Sequence, residues 1–87
     1  MSTEPHDIRL KRMYMRATHR GIKEMDIILG NFATDRLAAF DTAGLDLFDA
    51  LLEENDQDLY QWVTGQAPTP APFGDLIETI AVHAGAR

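Results

Sequence analysis

A chain of 87 residues, 45% hydrophobic and 25% charged, has the composition of one small soluble domain. It has no cysteine, which excludes disulfides, thiolate metal sites and cysteine nucleophiles. Its net charge of −6 argues against nucleic acid as the main partner, because phosphate binding needs a basic surface.

In chain order, residues 1–6 read as a disordered lead-in. Asp7 is placed to cap a first helix carrying Leu10, Met13, Tyr14 and Ala17 at helical spacing. Thr18-His19-Arg20-Gly21 reads as its end. A second helix is expected from about Ile22, with Met25, Ile28, Leu29 and Phe32 on one face and an extension to Phe40. Gly30-Asn31 is a weak point where it is expected to kink or fray. Asp41-Thr42 suits the start of a third helix, whose stripe is Leu45, Phe48, Leu51 and Leu52. Glu53-Glu54-Asn55-Asp56 breaks it, and Asn55 or Asp56 caps a short fourth helix bearing Leu59, Trp62 and Val63. Trp62, rather than Tyr60, is the expected core aromatic. Residues 66–72 hold three prolines and read as a stiff connector. A last helix is expected from about Phe73, with Leu76, Ile77, Ile80 and Ala81 on one face. No alternating β-branched run appears. The expected fold is therefore all-α: residues 7–87 as a single domain, a bundle of about five short helices.

Chemistry-bearing residues are sparse. His6, His19 and His83 form no ligand pair at helical spacing, so no metal site is expected. Ser2 is the only serine, no nucleophile stands beside a base, and no glycine-rich phosphate loop or dinucleotide fingerprint is present. The chain is not expected to be an enzyme. No apolar run approaches the roughly 20 residues of a membrane span. The polar, acid-bearing first residues do not resemble a secretory signal or transit peptide, so a cytoplasmic protein is expected.

Charge is unevenly placed. Arg9, Lys11, Arg12, Arg16, Arg20 and Lys23 make one end basic, while Asp41, Asp46, Asp49, Glu53, Glu54, Asp56 and Asp58 make the centre acidic. The basic segment has three readings: phosphate contacts, a solvated face, or a patch that meets an acidic protein. The net charge favours the last two. Gly21 interrupts a helical pattern at a cost of about 1 kcal/mol against alanine. It either ends a helix or lets a second backbone approach.

Two segments together carry a resemblance. Arg20-Gly21-Ile22-Lys23-Glu24-Met25-Asp26 resembles the Arg-Gly-x-x-Glu-x-Asp motif of the SdhE family, the succinate dehydrogenase flavinylation factors. Residues 51–62, an acidic turn leading to an aromatic-containing helix, resemble that family's second signature. The resemblance covers roughly residues 7–65. It implies a small five-helix assembly factor without catalytic chemistry of its own. It also implies binding to the flavoprotein subunit of succinate dehydrogenase, and in some bacteria fumarate reductase, and promotion of FAD attachment to a histidine of that subunit. It implies no stably bound cofactor in this chain. Carried over residue by residue, the partner-binding positions are Arg20, Gly21, Glu24 and Asp26. Ile22 and Lys23 fall at variable positions. The chain looks like a bacterial, cytoplasmic member. The competing reading is a small regulatory module that binds nucleic acid or another protein through its basic first helix.

Overall fold

The structure is a computed structural model that describes residues 4–87. Five α-helices follow one another: α1 (His6–Thr18), α2 (Lys23–Arg36), α3 (Thr42–Leu51), α4 (Asp56–Val63) and α5 (Gly74–Ala84). A 3-10 turn at Leu37–Ala39 joins α2 to α3. The described residues contain no strand, and the fold is all-α.

The first helix starts earlier than its sequence suggests. Pro5 stands at the N-cap, its fixed φ suited to a helix start, and Asp7 lies in the first turn instead of capping it. Of the expected lead-in, residues 1–3 lie outside the described residues. Glu4 is ion-paired with Arg12 at 3.0 Å, and His6 is already helical.

Helix α2 is central: it packs against α1, α4, α5 and the 3-10 turn. Met25, Leu29 and Phe32 are fully buried on it. The kink expected at Gly30-Asn31 does not occur, since the helix runs through both. Gly30 is buried, and a Cβ there would lie 3.0 Å from Thr18 Cγ2. The missing side chain lets α1 and α2 close on each other. The α-helix also stops at Arg36 instead of reaching Phe40. The tighter turn that follows brings the Phe40 ring back to 5.8 Å from Phe32 and 6.3 Å from Phe48. Asp41 is thereby placed to cap α3, accepting from the Gly44 amide at 2.8 Å.

Leu45, Phe48, Leu51 and Leu52 are buried. Asn55 caps α4 by accepting from the Gln57 amide at 2.8 Å. Trp62 is buried beside Leu59 and Val63 and stacks on Phe73, with ring centroids 6.3 Å apart. That contact ties the start of α5 to α4. Leu76, Ile77, Ile80 and Ala81 of α5 complete the same core cluster.

A row of ion pairs fastens α1 and the turn that follows it to α3, to the turn after α3 and to the start of α4. Arg9 pairs with Asp46 at 2.6 Å, Arg12 with Asp49 at 2.7 Å, Arg16 with Glu53 at 2.6 Å and Arg20 with Asp56 at 2.6 Å. Exposed pairs of this kind contribute little each. The Arg12–Asp49 pair is bidentate and partly buried, which makes it stronger. The Arg12 hydrogen bonds hold the Asp49 carboxyl below its ordinary pKa, with Arg9 and Arg16 adding to the effect against the cost of burial. Glu53 is lowered likewise by Arg16. A carboxyl that binds protons less readily when folded than when unfolded stabilises the fold above the ordinary carboxylate range. That contribution is lost as pH falls through the folded pKa. Thermal stability is therefore expected to hold down to about pH 5 and to fall below about pH 4. Asp49→Asn should cost about 1 kcal/mol at neutral pH and flatten the acid limb of a melting-temperature profile.

Candidate partner-binding site at the α1–α2 turn

The residues between α1 and α2 do two jobs: they finish one helix and start the next. At the end of α1, the Thr18 hydroxyl donates to the Tyr14 carbonyl at 3.0 Å, and His19 Nδ1 lies 2.8 Å from the Met15 carbonyl. Met15 is among the last four residues of α1, whose carbonyls the helix leaves without partners, and the Thr18 hydroxyl also reaches the Met15 carbonyl, at 3.2 Å. Asp26, in the first turn of α2, accepts from the backbone N–H of Arg20, so the helix reaches back and pins the turn that precedes it. Glu24 and Asp26 both place negative charge at the positive end of α2.

The Arg20 side chain points into the protein. Its Nε donates to Asp56 Oδ1 at 2.6 Å, and its terminal nitrogens donate to the Leu52 carbonyl at 2.9 Å and the Glu54 carbonyl at 3.0 Å. One guanidinium thus caps the end of α3 and holds the carboxylate that opens α4. Only 8% of the Arg20 side chain is exposed, and 16% of that of Asp56. The Gly21 amide donates to the other Asp56 oxygen at 2.6 Å. A Cβ on Gly21 would lie 3.0 Å from that oxygen. The backbone at Gly21 is not left-handed, since the positive φ values belong to Gly65 and Gly85. The glycine serves close approach, and what approaches is the chain's own carboxylate.

The four motif residues are therefore divided. Arg20 is turned inward, Asp26 is half-buried under the turn, and Gly21 and Glu24 are exposed. Arg20 and Glu24 do not pair; Arg20 goes to Asp56 instead. What sequence reasoning missed is Asp56 itself, the acceptor that joins the two signature segments. The signal was present in the spacing. Arginines 9, 12 and 16 and acids 46, 49 and 53 repeat at matching intervals of three and four, and Arg20 and Asp56 follow them.

Beside Glu24, α2 and α4 leave open ground. A depression of about 310 Å³ is lined by Ile22, Glu24, Gln57, Tyr60, Gln61 and Gln66. A second, of about 230 Å³, continues over Glu24, Ile27, Ile28, Tyr60 and Val63 toward the end of α5.

A family model described as the flavinator of succinate dehydrogenase, Sdh5, matches residues 11–84, a span that includes both signature segments. The chain belongs to this family. It is similar to proteins named succinate dehydrogenase assembly factor 2, mitochondrial. The one from Drosophila grimshawi is 35% identical over 83 residues, covering 92% of this chain and 56% of that protein. The one from Schizosaccharomyces pombe is 36% identical over 69 residues, covering 79% and 50%. The one from Scheffersomyces stipitis is 40% identical over 70 residues, covering 79% and 47%. The chain spans about half the length of these curated relatives.

In this Sdh5-family chain the basic first helix does not favour the phosphate-binding reading. Its three arginines, and Arg20 in the turn that follows, are engaged with carboxylates of α3, the turn after it and α4. A nucleic acid would have to displace those partners from a chain that is already acidic overall. No helix among the described residues is long and apolar enough to cross a membrane.

Proposed function

We propose that this chain binds the flavoprotein subunit of succinate dehydrogenase, and fumarate reductase where one is present, and promotes covalent attachment of FAD to it. The observation that carries the reading is the Sdh5 family match across both signature segments, in a chain where those segments form one hydrogen-bonded unit. The reaction joins groups of the flavoprotein and its FAD, and the difficulty is holding them in register, which can account for much of a barrier. The chain acts by binding, favouring a conformer of the flavoprotein competent for attachment. Gly21, Glu24 and Asp26 form the contact face, and Arg20 shapes it from beneath.

The chain performs no catalytic step and holds no FAD of its own. Arginines suited to a pyrophosphate are already spent on carboxylates. The compartment follows the partner: the two must meet before the flavoprotein is assembled, which for a bacterial member is the cytoplasm.

The test is to produce the flavoprotein subunit with and without this chain and denature it. Flavin fluorescence that survives denaturation reports the covalent bond. A rise of about tenfold or more with the chain present is expected. Equal labelling in both preparations would overturn the proposal.

A further inference from the structure

Helix α2 is apolar on more sides than its core contacts require. Met25, Leu29 and Phe32 are buried, yet Ile27 is 53% exposed, and Ile28, packed against the edge of the core, is only half-buried. Glu24, Ile27, Ile28 and Asn31 fall at i, i+3, i+4 and i+7, so they share one face. Along that face three depressions run end to end. The first two share Glu24 and Tyr60, and the third continues past Ile27 and Ile28 to Asn31 and His83. At about 1.5 Å of rise per residue, positions 22–31 span about 14 Å, the length of about four extended residues.

The charge in this groove is specific. Glu24 is the one charged side chain lining the first two depressions. Unlike Asp46, Asp49, Glu53 and Asp56, it has no ion-pair partner among the described residues. Its surroundings are apolar or neutral: Ile22, Ile27, Tyr60, Gln57 and Gln61. A carboxylate without an ion pair, placed where the glutamine-lined first depression meets the apolar second one, suits an occupant with one cation at Glu24 and an apolar side chain beyond it over Ile27 and Ile28.

We infer that the groove between α2 and α4 receives an extended segment of the flavoprotein, an arginine or lysine meeting Glu24 and an apolar side chain seated on Ile27, Ile28 and Tyr60. This rests on the proposed function and deepens it, because it extends the contact beyond the turn motif and states the chemistry of what docks there. A cation held by Glu24 sets the register, and the apolar floor supplies most of the buried area.

The experiment uses the full chain and the purified flavoprotein subunit before covalent flavin attachment. A photo-cross-linking residue at position 27 is expected to label a flavoprotein segment with an arginine or lysine within about four residues of the labelled position, the reach of the groove. The same residue at position 15, where Met15 is exposed on α1, is expected to label little. Ile27→Asp should weaken binding about tenfold or more while the melting temperature moves by only a few degrees, since the side chain is exposed. If the unmodified chain binds but Ile27→Asp binds equally well, the groove is not the docking site and the proposed function stands. The same holds if position 27 labels only a second copy of this chain, or a flavoprotein segment without a cation. If the unmodified chain does not bind the flavoprotein at all, the proposed function falls and this inference falls with it.

Discussion

Arg20→Ala is expected to destabilise the protein by about 3 kcal/mol, because it strands a partly buried carboxylate. The loss is larger than for a surface pair, since the guanidinium joins two elements: it binds Asp56 at the start of α4 and the Leu52 and Glu54 carbonyls that follow α3, while the backbone N–H bond to Asp26 is kept by alanine. For a domain of this size such a loss lowers the melting temperature by about 15 °C. Arg20→Lys keeps the charge without the planar fork and should cost about 2 kcal/mol. In a double-mutant cycle with Asp56→Ala, the paired loss should fall short of the summed single losses by about 1–3 kcal/mol. Thermal unfolding by circular dichroism measures all four species. A melting temperature for Arg20→Ala within a few degrees of the parent would show that the guanidinium is dispensable to the fold.

That expectation recasts what the first signature does. Arginine beside glycine in an exposed turn reads as an offer to a partner, and the helical spacing of Arg20 and Glu24 suggests a local pair. Neither reading contains the loop 32 to 36 residues further on, where the side chain goes. The helices themselves were legible because the apolar stripes repeat every three or four residues: Leu45, Phe48, Leu51 and Leu52 are placed by periodicity alone. Gly30 reads as a weak point because local propensity describes the isolated helix, while its burial against Thr18 is a tertiary fact. The end of α2 is not marked in the sequence because Leu37 and Phe40 fit a helical stripe and a 3-10 turn equally well. The basic end and the acidic centre read as separate patches. Their mutual neutralisation depended on α1 lying alongside α3, which only the packed fold reveals.

Glu24→Lys is expected to leave the fold nearly intact and to lower covalent flavin loading of the flavoprotein about tenfold or more. Glu24 is exposed and carries no ion pair among the described residues, so its removal strands no buried group. Reversing its charge in the first turn of α2 opposes the helix dipole and costs about 0.5 kcal/mol. Against the partner the reversal sets two cations together in the groove, which costs more than losing an attraction. Glu24→Gln, which removes the charge and keeps the shape, should therefore fall between the parent and Glu24→Lys. Binding by the parent should weaken with added salt, and binding by Glu24→Gln should respond less. Loading is read as flavin fluorescence on denatured flavoprotein, and stability by thermal unfolding of the same preparations. Poor loading by an unstable Arg20→Ala would say only that the site needs its scaffold. Poor loading by a stable Glu24→Lys assigns the loss to the contact itself, and normal loading by that variant would remove Glu24 from the partner-binding face.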